Sequence, residues 1–203
     1  MRIKDIQTFA LNELKLDEEN YRFRAAKDQK DCVEKIFNAN PDYLKGMMKS
    51  IAEDDLGELL LVYKNKGQNV VADGNRRVAA LKILQDDKYA PTQALKNYAS
   101  DLRKLREIDF KNIHAQASDD REVIAKTVFE RHQSGKTGTN RIRWNAYAAA
   151  RYGFDAELGN SGEWYIMALL VKTEEEYPDV ISFTTDISQF SYELYRRLVR
   201  AAV

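Results

Sequence analysis

Cysteine occurs once, histidine twice and proline three times in the 203 residues, and the first two scarcities each close off a class of chemistry. A lone Cys32 excludes disulfide frameworks and thiolate zinc sites. Its setting, Asp31-Cys32-Val33-Glu34-Lys35-Ile36, holds no His or Arg to stabilise a thiolate, so it reads as a buried or half-buried helix residue. With only His114 and His132, a histidine-rich metal centre is excluded, and any metal would be held through oxygen. No apolar run approaches the roughly 18 residues that span a bilayer, and the start Met1-Arg2-Ile3-Lys4-Asp5 is charged where a secretory signal is apolar. A soluble, cytoplasmic protein with no membrane partner is expected.

An excess of one charge is also missing: 32 Lys+Arg balance 32 Asp+Glu. That balance excludes a uniformly basic DNA-coating protein and a charge-swollen disordered chain. What is present is 44% apolar residues with 8 Phe, 11 Tyr and 2 Trp, enough to close a core in one or two compact domains.

Along the chain, Leu11, Leu14 and Leu16 lead into a strand or short extended piece and a polar turn at residues 17–23. Val33, Ile36 and Phe37 fall at helical spacing. Asn40-Pro41 supplies an N-cap and a first-turn proline for a second helix through Tyr43, Leu44, Met47, Met48 and Ile51. Residues 59–63 and 69–72 are apolar runs joined by the glycine-bearing 64–68, which predicts a β-hairpin. Asp73-Gly74 ends the second strand, and Val78, Ala79, Leu81, Lys82, Ile83 and Leu84 continue as a helix. Pro91 opens another helical stretch, residues 113–117 alternate as a third strand, and Ser118-Asp119-Asp120 caps a helix running toward Glu130. Residues 134–140 read as a polar loop, Trp144 to Arg151 and residues 164–171 as helices, and 188–203 as a last helix with no stop signal, as in a fragment of a longer chain.

The junction Asp73-Gly74-Asn75-Arg76-Arg77 is the most informative feature. The first N–H groups of a helix are unsatisfied within it and its dipole favours an anion. Arginines in that first turn run against the dipole preference for acids, and a bound phosphate resolves the conflict. The structural alternative is two surface arginines paired with nearby acids. At the end of the next helix, Glu130 could ligate a nucleotide's Mg²⁺, with Arg131 and His132 beside it as further phosphate contacts; a solvated helix end is the alternative. Gly135-Lys136-Thr137 is not a P-loop, because the required glycine five residues earlier is Glu130. Residues 131–154 contain no acid, while Arg131, Lys136, Arg141, Arg143 and Arg151 are positive and Trp144 and Tyr147 are interleaved. That is a footprint for phosphate-backbone contact, or else a basic face that meets an acidic one.

The order of these parts resembles the ParB/sulfiredoxin superfamily, in particular its ParB-like N-terminal nucleotide-binding domain. Leu14-Lys15-Leu16-Asp17-Glu18-Glu19-Asn20-Tyr21-Arg22 is similar to the family's first box, which ends in an Asn-x-Arg turn. Val70-Val71-Ala72-Asp73-Gly74-Asn75-Arg76-Arg77-Val78-Ala79-Ala80-Leu81 resembles its phosphate motif, with Gly-x-Arg-Arg at the core. In the third motif, Glu130 matches the family's Glu, whereas Arg131 stands in place of Asn and Ser134 in place of Arg. Sulfiredoxins carry a catalytic Cys where this chain has Asn75, which argues against sulfinic-acid reductase activity. The resemblance covers residues 11–85 and 110–152, with 88–109 as an insertion.

The resemblance implies an α+β fold, a small mixed sheet flanked by helices and followed by a helical segment in the place of a degenerate helix-turn-helix. The implied division is a nucleotide-binding domain at 1–133, a mobile linker at 134–143 and a truncated helical domain at 144–203. It implies a bacterial or phage protein whose ligand is CTP or ATP with Mg²⁺. The phosphates would lie on Asp73, Gly74, Asn75, Arg76 and Arg77 with Arg22 assisting, and Glu130 would be the metal-binding and catalytic carboxylate. DNA would be met by Lys136, Arg141 and Arg143 and by Arg196 and Arg197 of the recognition-helix segment, in a monomer or a homodimer. The alternatives are a nucleoside triphosphatase, phosphotransferase or nuclease on the same scaffold, and an interaction module that has lost its nucleotide.

Overall fold

The computed structural model describes residues 6–20, 25–54, 59–133, 146–155 and 164–176, together with Arg197 and Arg200. The fold is α+β, with a five-stranded mixed sheet and seven α-helices among the described residues. The chain forms two compact units, Met1–Glu19 with Ala25–Ile124, and Asn20–Arg24 with Ala125–Val203.

The first unit contains strands β1 (Ile6–Phe9), β2 (Leu14–Leu16), β3 (Leu60–Asn65), β4 (Gln68–Asp73) and β5 (Ile113–Ser118). Its helices are α1 (Gln29–Ala39), α2 (Pro41–Glu53), α3 (Asn75–Gln85), α4 (Gln93–Leu102) and the start of α5 (Arg121–Gln133). The strand order is β1-β5-β3-β4-β2. β1 is antiparallel to β5, β5 parallel to β3, β3 antiparallel to β4 and β4 parallel to β2.

The hairpin is tighter than the sequence predicts. Its strands run to Asn65 and from Gln68, so the turn is Lys66-Gly67 alone, with φ of +48° and +77°. Two positive φ values are what a two-residue hairpin turn needs if its twist is to match the strands. The predicted hairpin is there, and because Lys66, not a glycine or asparagine, takes the first of them, only its two-residue length was illegible in the sequence.

The outer edge of β2 is closed by side chains. The Leu16 N–H donates to Gln29 Oε1 at 2.8 Å and Gln29 Nε2 donates back to the Leu16 carbonyl at 3.0 Å, so one carboxamide imitates a neighbouring strand. Two residues away, Lys82 Nζ donates to the Leu14 carbonyl at 3.0 Å. A sheet edge satisfied in this way offers no ladder for another chain.

α3 is the central helix. Val78 through Leu84 are all buried, Lys82 included, and the helix packs against α1, α2 and α4. A helix covered on every side needs no polar stripe, which accounts for its near-continuous apolar sequence. α4 is capped by Thr92, so Pro91 stands ahead of the cap rather than in the first turn. Leu95, Ala99 and Leu102 are buried. Residues 88–109, an insertion by resemblance, thus contribute to the core.

In the second unit, α6 (Ala146–Asp155) packs with α7 (Trp164–Glu176), which runs beyond the predicted residue 171. Tyr152 donates its hydroxyl to the Ala125 carbonyl at 3.2 Å, and Ile166 and Met167 are buried. Arg197 and Arg200 are helical and exposed. No described helix is long and apolar enough to cross a membrane.

Candidate functional site

The turn from β4 into α3 is shaped by a glycine that nothing else replaces. Gly74 has φ +98°, the left-handed region, and a Cβ built there would run into Leu60 Cδ2 and lie 3.6 Å from its Cγ. The conformation and the closeness of β3 each demand a residue without a side chain.

The start of α3 differs from the starts of the neighbouring helices. At α1 Asp28 accepts from the N–H groups of Lys30 and Asp31, and at α2 Asn40 accepts from Tyr43. At α4 Thr92 accepts from Leu95, and at α5 Asp120 accepts from Glu122 and Val123. At α3 the cap is Gly74, no side chain caps the helix, and no acid lies in the first turn. Asn75, Arg76 and Arg77 occupy that turn, all three half-buried, after Asp73 at the end of β4.

These residues play different parts. The Asn75 carboxamide is built into the fold: Nδ2 donates to the Val71 carbonyl at 2.8 Å and Oδ1 accepts from the Asp17 N–H at 3.2 Å. The Arg76 guanidinium carbon lies 5.3 Å from the centroid of the Tyr43 ring, a cation–π contact with the first turn of α2. Arg76 Nε is buried, while the Tyr43 side chain is exposed. The sequence did not single out Tyr43, since it carries no motif and lies more than thirty residues from Arg76.

Lys82 was also missed. It is 5% exposed. Burial, and then the nearby Lys88 charge, pushes its pKa below the ordinary lysine value, and its ammonium lies 5.5 Å from the Tyr89 ring centroid. The one available signal was a single cation inside the otherwise apolar run from Val78 to Leu84.

Glu130, Arg131 and His132 lie toward the end of α5, within the second unit. Glu130 is exposed and the other two are half-buried. Cations in the last turn complement the negative end of a helix, so this placement also serves α5 itself. Among the described residues no group of three or more His, Cys, Asp and Glu is placed to hold a metal ion. Arg22, Lys136, Arg141, Arg143 and Arg196 lie outside the described residues, as do Ser134 and Trp144.

No protein-family model matches the chain, and no curated protein matches it.

Proposed function

We propose that the chain is a ParB-like, nucleotide-responsive, DNA-associated protein that takes the phosphates of a nucleoside triphosphate, CTP or ATP, at the turn from Gly74 to Arg77. One observation carries this reading. α3 begins on a left-handed glycine with no side-chain cap and carries two arginines and no acid in its first turn, whereas α1, α2 and α4 each begin on a side chain that accepts from their first N–H groups. An anion there gains the helix dipole, worth about 0.3–1 kcal/mol at a surface, together with forked donors from the guanidinium groups. Mg²⁺ carried by the nucleotide would need only one or two carboxylates from the protein. DNA contact would fall to the acid-free basic stretch at 131–154 and to Arg196 and Arg197.

Isothermal titration of CTP, ATP, GTP and inorganic tripolyphosphate in the presence of Mg²⁺ tests this. Arg76→Ala and Arg77→Ala should each weaken binding at least about tenfold, since a hydrogen bond to a charged group is worth roughly 1.5–3 kcal/mol. Lys104→Ala, which removes an exposed cation outside the turn, should bind as the wild type does. Wild-type affinity in both arginine variants would remove the phosphate assignment.

The engagement of Asn75 with Val71 and Asp17, and of Arg76 with Tyr43, favours a second reading, an interaction module in which the turn serves only the fold. That reading expects no heat from any of the four ligands and a lowered melting temperature in Arg76→Ala.

A further inference from the structure

We propose that Asn75 is a positioning residue for the phosphate turn, linking it to the segment that begins at Asp17; this inference rests on the nucleotide reading above. As the first residue of α3, Asn75 does not cap its own helix. Its carboxamide joins β4 through the Val71 carbonyl, at 2.8 Å, to the chain leaving β2 through the Asp17 N–H, at 3.2 Å. Three segments therefore meet on one side chain.

The far side of that link is also held. The Cys32 thiol points at the Asp17 carbonyl, 3.9 Å away, and the Glu19 N–H donates to Asp17 Oδ1 at 3.2 Å. Gln29 Nε2 donates to Glu18 Oε1 at 2.9 Å, and the Ala26 N–H donates to the Glu18 carbonyl at 2.7 Å. Residues 17–19 are thereby fixed to α1 on one side and to the first turn of α3 on the other. An anion arriving at that turn meets donors already oriented, which lowers the ordering cost of binding. Its pull on α3 is felt at Asp17, and by linkage the order of residues 17–19 feeds back equally on affinity.

The test measures tripolyphosphate affinity by calorimetry and amide hydrogen exchange at residues 17–19. In the wild type, tripolyphosphate should slow exchange there. Asn75→Ala removes the acceptor and Asp17→Pro removes the donor. Each should weaken binding about tenfold, a loss typical of a supporting residue, and the two together should weaken it no further than either alone. Asp17→Ala keeps the N–H and should weaken binding less than Asp17→Pro. A merely structural role would lower the melting temperature of Asn75→Ala and Asp17→Pro while leaving affinity, measured well below the melt, at the wild-type value, and that result overturns the proposal. Unchanged exchange at residues 17–19 in ligand-saturated wild type overturns it as well, and needs no variant to fold. If the wild type binds neither tripolyphosphate nor any of the three nucleotides, the nucleotide reading fails first and this inference falls with it; binding with no effect of the variants removes the inference alone.

Discussion

Gly74→Ala is expected to lose about 2–5 kcal/mol of stability and to melt roughly 5–15 °C below the wild type. Two costs add. A side chain at φ +98° occupies the left-handed region, at about 1–2 kcal/mol for a residue with a Cβ. The new methyl also drives into the Leu60 side chain, which is 2% exposed and must shift to admit it, and overpacking of this kind costs about 1–3 kcal/mol. The two separate in a double-mutant cycle with Leu60→Ala. That change is damaging alone, at about 2–5 kcal/mol for a buried leucine, but it relieves the collision, so the pair should cost less than the sum. Gly74→Asn tolerates the backbone better than Ala does and keeps the collision. Thermal and urea melts read all four variants. A Gly74→Ala melt within 2 °C of the wild type would mean that β4, α3 and Leu60 shift apart freely, and the turn would then be no fixed platform for an anion.

The same turn shows what the residues disclosed locally and what they concealed. Asn40-Pro41 and Ser118-Asp119-Asp120 announced helix starts because a cap is a short-range bond, and both Asn40 and Asp120 accept the backbone bonds such residues are placed to accept. The strand–glycine–helix junction at Asp73-Gly74 was equally legible. β1 was not: Ile6 to Phe9 is short, and its pairing with Ile113 to Gln116 is a contact across most of the first unit. Period and breakers say nothing of the order β1-β5-β3-β4-β2, because register over long separations is decided by packing.

In the site, the sequence delivered residue types and withheld their partners. Asn75 read as a possible phosphate contact, yet its carboxamide binds Asp17 and Val71, the first of them far away along the chain. Arg76 and Arg77 read as a pair, yet Arg76 is the one stacked on Tyr43. Lys82 read as one more helix residue, although it is buried and satisfied by the Leu14 carbonyl. Each of these depends on a segment more than twenty residues away, and no local pattern encodes such a meeting. The buried cation is the better clue in retrospect, since an isolated ammonium in a helix core must find an acceptor or lose its proton.

Cys32 is expected to govern the alkaline limit of the fold. The thiol is fully buried, and its pKa is pushed up from 9.0 to about 12, by burial first and then by the carboxylates of Glu18, Asp17, Asp31 and Asp28. A raised folded-state value means that between these limits the native protein keeps a proton that the unfolded chain has released. The contribution is therefore complete below pH 9.0 and lost as pH rises toward 12, at about 1.4 kcal/mol per pH unit and roughly 4 kcal/mol in all. Lys82 acts in the opposite sense. Its value is lowered from 10.5, so the native protein sheds that proton before the unfolded chain does, and stability gains as pH approaches 10.5. The two offset each other below that point. Above it the thiol acts unopposed, with the half-buried Tyr63, whose phenol is also raised chiefly by burial, adding to the loss. Urea melts from pH 7 to 12 should show a shallow decline that steepens beyond about pH 10.5. Cys32→Ala, which leaves a small cavity, should be less stable than the wild type by roughly 1 kcal/mol at pH 8. It should also decline less with pH, so the two curves cross at about pH 10 and the variant is the more stable above it. Parallel curves across the whole range would show that the thiol is not the group responsible. Native protein at pH 8 should likewise leave Cys32 unreactive toward a thiol reagent until urea opens the fold, because a buried, protonated sulfur is no nucleophile.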